Sequence, residues 1–263
     1  MSSSSRPVSP AAHSAAFGNP PSSTAVSSLL STLSGSPVQP VVRSYPDATF
    51  HSYPPLGFDL VYHPSPSTST RTTQKSAASQ LVLDTIDLYN PLPPPPAPTI
   101  SSRTKRSGPI YSPPSLPITF HFPGSTLTLP PPKPGESSRE ISRPDSLEVG
   151  QRTTGREFVS AFGEPSKKGG GTGWVPPFLE WSRVEIVGDD DDTDGSAVGG
   201  GEEEPQTGRR TVVIGVMVEL RDPGPGEKMT EEQKLKGMGG VWDRAAGWEW
   251  SNLKIFRPDP KDT

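Results

Sequence analysis

The sequence predicts an α+β domain: an antiparallel sheet with two short helices, broken by long disordered inserts. Three observations lead there. Two short stretches carry apolar residues at helical spacing and each stops at a Gly-x-Pro. Several others alternate apolar and polar residues with the period of a strand. Between them lie tracts of Ser, Pro, Gly or acidic residues that offer little to a core.

Composition sets the scale. Of 263 residues only 30% are hydrophobic, while 35 are proline and 26 glycine. That is too little apolar surface to offset chain entropy along the whole length. The expected layout is a Ser/Pro-rich tail over 1–21, one α+β domain over 22–258, and a short tail over 259–263. Low-complexity inserts are expected at 64–79, 91–117, 130–150, 188–209 and 222–240. The absence of cysteine excludes disulfides, thiolate metal sites and Cys nucleophiles. No apolar run approaches the roughly 18–20 residues of a membrane span, so no membrane partner is expected. The start of the chain lacks the apolar core of a secretory signal. A cytoplasmic or nuclear protein is the default, and the acid-free stretch up to Asp47 keeps a mitochondrial presequence open.

In order, Val26, Leu29, Leu30 and Leu33 mark one face of a helix over 24–33, with Gly35 and Pro37 as its stop. Phe58, Leu60 and Tyr62 alternate with Asp59 and Val61 in a half-buried strand, preceded by a bend at Tyr53–Gly57. The run 80–89 is apolar on both faces and reads as a central strand. Ile118, Phe120 and Phe122 alternate up to Pro123-Gly124, and Leu127 and Leu129 after it, which predicts a hairpin with a short turn. The connector 91–117, with its PPPP run and the cations Arg103, Lys105 and Arg106, reads as solvated and partly polyproline II.

A second helix follows over 154–162, with Thr154 and Glu157 in a capping box and Phe158, Val159 and Phe162 as its buried face. Strands are expected at 178–187 and 210–221, joined as a hairpin across the acidic insert, and a last strand at 248–256. A helical turn is allowed around 230–235. Both halves therefore run helix, Gly-x-Pro, strand, late strand, and both carry Pro-Pro after the helix stop. This order reads as two copies of a helix–(Gly-x-Pro)–strand–strand unit. Convergence on common helix-stop chemistry would give the same order.

The segments FVSAFGEPSKKGGGTGW, LEWS and WSNLKIF resemble a family of fungal proteins to which no activity is attached. The helix, Gly-x-Pro, strand–strand order is also similar in architecture to the small α+β SmpA/OmlA-type modules of bacterial envelope lipoproteins. Neither resemblance implies an activity, and a lipobox cysteine is missing here.

Candidate chemistry is sparse. In the loop 163–173, Lys167 and Lys168 precede Gly169, Gly170 and Gly171, whose N–H groups could converge on an anion. The order is not that of a phosphate-binding P-loop, and a helix C-terminus favours the lysines themselves. The histidines His51, His63 and His121 fit no zinc spacing, so no metal is expected. No nucleophile elbow or zincin motif occurs. Glu180 with Glu185, and Asp59 with Asp87, are possible carboxylate pairs whose ordinary reading is exposed strand acids. Glu180 stands out because it is flanked by Leu179 and Trp181. The tryptophans, above all Trp174, Trp181 and Trp250, suit either a core or an interface. With a net charge of −4 and no basic face, nucleic acid is not an expected partner. Ser9, Ser36, Ser65 and Ser112 precede prolines and suit proline-directed phosphorylation.

The resulting expectation is a non-enzymatic protein-interaction module with no catalytic residues and no cofactor. The alternative is a small-molecule or anion-binding domain, hydrolytic at most, that uses the loop 163–173 and Glu180.

Overall fold

The computed structural model describes residues 10–34, 38–65, 80–92, 109–114, 116–129, 131, 135, 137–171, 175–188, 210–223, 230–235 and 238–259. Gly35 to Pro37, Trp174, the PPPP run, the cations at 103–106 and the acidic insert at 189–209 lie outside the described residues.

The described elements begin with helices α1 (Pro10–Ser14) and α2 (Thr24–Ser34). Strands β1 (Val41–Ser44) and β2 (Thr49–Tyr53) follow, then a 3-10 turn at Pro54–Leu56. After it come β3 (Phe58–Pro64), β4 (Leu81–Tyr89), β5 (Ile118–His121), β6 (Thr126–Leu129), β7 (Arg139–Ser142) and β8 (Ser146–Val149). The remainder is α3 (Gly155–Phe162), β9 (Lys167–Gly169), β10 (Phe178–Val187), β11 (Thr211–Leu220), α4 (Glu231–Leu235), α5 (Met238–Ala245) and β12 (Trp250–Phe256).

Eight strands form one antiparallel sheet in the order β1-β2-β3-β4-β12-β11-β10-β9. The order is symmetric about its middle. Each half supplies a helix and then four strands, and the last strand of each half, β4 and β12, meet at the centre. Counting strands from the helix makes β3 the counterpart of β11. The Pro-Pro pairs therefore do not correspond: Pro54-Pro55 precedes a third strand, whereas Pro176-Pro177 precedes a second one, β10. The order common to both halves is therefore one helix and then four strands, not two.

Strand alternation divides the sheet into two faces. On the first, Leu60, Ile86, Ile255, Val216 and Trp181 lie opposite one another from β3 to β10. All are buried in a single apolar cluster that also takes Val26, Leu29 and Leu33 of α2 and Phe158 and Phe162 of α3. Phe162 meets Phe120, Phe122 and Trp181 edge-to-face with centroids 5.2, 5.7 and 5.2 Å away, a geometry that aligns ring edges with ring faces. The capping box of α3 forms: the Glu157 carboxylate accepts from the Thr154 N–H (2.7 Å) and hydroxyl (2.8 Å). Gly163 ends that helix at φ +82°, a conformation that favours glycine, and a Cβ there would also have to displace the end of the Leu127 side chain, 2.2 Å away.

Four expectations need correction. The 1–21 tail contains α1, which places His13 and Ala16 in the core. The hairpin over 118–129 does not form; β5 pairs with β8 and β6 with β7, so the supposed insert at 130–150 supplies two strands. Pro123-Gly124 lies between β5 and β6 without turning them into a hairpin, and Ile118 and Phe120 of β5 instead lie opposite the buried Val149 and Leu147 of β8. The stretch 222–240 contains α4 and the start of α5. Residues 109–114 of the connector are docked on the sheet, with the Ser112 N–H donating to Pro54 O at 2.8 Å.

Among the described residues no helix is long and apolar enough to cross a membrane.

Candidate functional site

The second face of the sheet carries a row of eight residues, polar at every position but Val41 and Met217. Successive opposite positions are Val41, Ser52, Asp59, Asp87, Lys254, Met217, Glu180 and Lys167, one from each of the eight strands. A parallel row two residues along runs Tyr89, Asn252, Glu219 and Phe178. Asp59, Asp87, Lys254, Met217 and Glu180 each lie between two buried apolar residues, so strand alternation sets these five on the other face of the sheet.

Asp59 and Asp87 are 1% and 4% exposed, which overturns their reading as exposed strand acids. Four side chains engage them. Lys254 Nζ donates to both carboxylate oxygens of Asp87, at 3.2 and 3.1 Å. Tyr111 donates its hydroxyl to Asp59 Oδ1 at 2.6 Å, and Tyr89 donates to Asp59 Oδ2 at 3.2 Å. Arg43 Nη2 lies 4.0 Å from Asp59 Oδ2 and donates to Ser52 Oγ at 3.0 Å. The rings of Tyr89 and Tyr111 stack with centroids 4.1 Å apart, which holds the 109–114 segment over the row.

Burial governs the ionisation of this cluster. It holds the Asp87 carboxyl above its usual range; Lys254 opposes that, while Asp59 and Glu219 reinforce it. Burial also raises the Tyr89 phenol, with the charges of Asp87 and Asp59 adding to the effect. Tyr111 is pushed up to about 12, first by burial and then by its bond to Asp59. Both tyrosines are therefore fixed donors at neutral pH. Both oxygens of Asp59 accept from a tyrosine and both oxygens of Asp87 accept from Lys254, so the two carboxylates are acceptors in a fixed network.

The residues singled out in the sequence scatter. Lys167, Lys168 and Gly169 form β9, an edge strand rather than a phosphate-cradling loop, and only Gly170 and Gly171 beyond it have positive φ. Lys167 Nζ pairs with Glu180 at 2.8 Å and Lys168 with Glu164. Lysines on an edge strand discourage pairing with foreign strands, which accounts for their presence there. Glu180 closes the polar row. Trp181 and Trp250 are not surface groups: both are buried, donating to Gly163 O (2.9 Å) and Gly150 O (2.8 Å). Their indole N–H groups are satisfied by backbone carbonyls because core packing leaves no other route. Among the histidines, His63 Nδ1 lies 2.9 Å from Asp47 O and burial lowers His51. His13, passed over in the sequence, is the most deeply buried, held down to about 4 by desolvation. Among the described residues no group of three or more His, Cys, Asp or Glu is placed to hold a metal ion.

Asp59 and Asp87 were visible as a pair in the sequence. Their burial was not, because the residue that covers Asp59, Tyr111, sits far away in a proline-rich connector. No protein-family model, curated protein or solved structure matches this chain.

Proposed function

We propose that the protein is a non-enzymatic protein-interaction module that docks its partner on the second face of the sheet. The observation that carries this reading is the eight-residue row of mainly polar side chains, whose buried acids are held by fixed donors while Met217, Glu180 and Lys254 stay partly accessible. A rigid sheet with a pre-ordered mix of charge and apolar surface lowers the ordering cost of association. Catalysis has less support, since both oxygens of Asp59 and of Asp87 are already engaged by side-chain donors. Anion binding by the loop 163–173 has less support as well, since each lysine there already faces a carboxylate.

The helix-plus-four-strand order of each half supports reading the domain as two copies of one unit joined at β4 and β12. Such a joint would double the width of the docking face without adding an edge.

The test is affinity capture from the native cell with three forms: unaltered protein, Met217→Arg on the second face, and Thr128→Arg on the β6–β7 ribbon. The reading predicts a reproducible partner that Met217→Arg loses and Thr128→Arg keeps. Loss from both, or from neither, would contradict it.

A further inference from the structure

Four serines precede a proline, and two of them, Ser65 and Ser112, are among the described residues. Ser65 is half-buried, and its N–H is tied to Gln80 O at 2.8 Å just after β3. Ser112 is different. It is exposed, as are Ile110 and Pro113 beside it, and it belongs to no helix or strand. A residue before proline is held to extended backbone, the form in which a kinase groove takes its substrate, and two prolines follow here.

The segment that carries Ser112 is held to the sheet by a few contacts. The Tyr111 hydroxyl donates to Asp59 at 2.6 Å, and its ring stacks on Tyr89 at 4.1 Å. The Ser112 N–H donates to Pro54 O at 2.8 Å, and Pro114 is buried. A contact of this size opens and closes locally, without unfolding of the sheet. A charge on Ser112 would sit one residue from Tyr111. That is about a tyrosine's length from Asp59, near the Debye length of about 8 Å at physiological salt. Among the described residues, the charged groups gathered in this cluster are Asp59, Asp87 and Glu219 against Arg43 and Lys254, an excess of acid.

We propose that Ser112 is a phosphorylation site for a proline-directed protein kinase, which takes the segment 109–114 detached from the sheet, and that the phosphate then keeps it detached. The Ser112 hydroxyl oxygen attacks the γ-phosphorus of Mg-bound ATP. The new O–P bond forms as the bond to the bridging oxygen of ADP breaks, and the hydroxyl proton passes to the kinase's base. The product carries about −1.5 to −2 charges at pH 7. Docked, that anion lies over a cluster already rich in acid; detached, it is solvated. Docking and phosphorylation therefore oppose one another, each weakening the other to the same degree. Release uncovers Asp59, so the modification changes the charge that the second face presents.

The test begins with phosphopeptide mapping of the full chain, from the native cell and after treatment with Mg-ATP and a purified mitogen-activated protein kinase. Both should show phosphate on Ser112, and Ser112→Ala should remove that signal. The effect on docking is read from hydrogen exchange at the Ser112 amide, which is bonded to Pro54 O when docked. Each rate is referenced to a free 109–114 peptide in the same phosphorylation state. Phosphorylation should lower the protection about fivefold or more, and salt at about 1 M, where the Debye length is about 3 Å, should restore most of it. Tyr111→Phe, which loses the bond to Asp59, should speed phosphorylation of Ser112 about tenfold. Unmodified Ser112 in either mapping, protection that is unchanged or raised, or an unchanged rate in Tyr111→Phe would each overturn the proposal. Protection that stays lost at high salt would overturn repulsion as the cause.

Discussion

Asp59 and Asp87 face one another across β3 and β4, both buried, yet each is neutralised from a different side. Asp87 takes its cation from the last strand of the chain, Lys254, and Asp59 takes its donors from Tyr89, Tyr111 and Arg43. The pair thus ties together the centre of the sheet and the proline-rich connector.

Removing one partner of such a pair leaves an uncompensated charge. Lys254→Met should destabilise the fold by about 3 kcal/mol at neutral pH, measured by urea denaturation. The sign of its pH dependence follows from Asp87, whose folded pKa is raised. Stability contributed by such an acid is full below the ordinary carboxyl range and lost as pH rises through the folded value. Without Lys254 that folded value rises further, so the deficit should shrink on acidification. Asp87→Leu combined with Lys254→Met should recover most of the loss.

The contact between Tyr111 and Asp59 should be measurable on its own. Tyr111→Phe removes a 2.6 Å bond to a charged acceptor and should cost about 1–2 kcal/mol. In the unaltered protein the tyrosine keeps its proton preferentially when folded. Its contribution is complete below the ordinary value of 10 and lost as pH rises through about 12. Ultraviolet titration should therefore show most tyrosinate forming together with alkaline unfolding, and Tyr111→Phe should move that transition to lower pH.

Much of the sheet was legible from alternation alone. Strands β3, β4, β10, β11 and β12, helices α2 and α3 and the capping box all follow from short-range patterns. What was not legible depends on distant partners. The strand β5 looks like half of a hairpin until β8 competes for it, and α1 has no helical signature apart from the burial of His13 and Ala16. The polar row shows the same limit. Each member alternates correctly in its own strand, but only the register of all eight strands reveals that they align.

His13 gives α1 a pH signature. Its ring is buried, both nitrogens lack hydrogen-bond partners, and desolvation lowers it to about 4. A base held below its ordinary 6.5 contributes stability that is full above that value and lost as pH falls through about 4. His13→Leu should flatten the acid arm of the stability profile and add about 1 kcal/mol at neutral pH, since an unsatisfied polar ring is replaced by an apolar group. Acid titration followed by circular dichroism measures both effects.

Gly57 links backbone strain to the cover over the acids. It sits at φ +77°, and a Cβ there would lie 2.4 Å from Ser112 O in the segment that carries Tyr111. Gly57→Ala should cost more than about 1 kcal/mol. It should also displace the 109–114 segment, which ultraviolet titration would register as a Tyr111 that ionises nearer its ordinary pKa.

The central claim, that the second face of the sheet is where a protein partner docks, is tested most directly by site-specific photo-crosslinking in the native cell. A photoreactive residue at Met217 should capture one reproducible protein, and the same probe at Thr128 should not. Capture that is equal at the two positions, or none at Met217 in a folded protein, would contradict the claim.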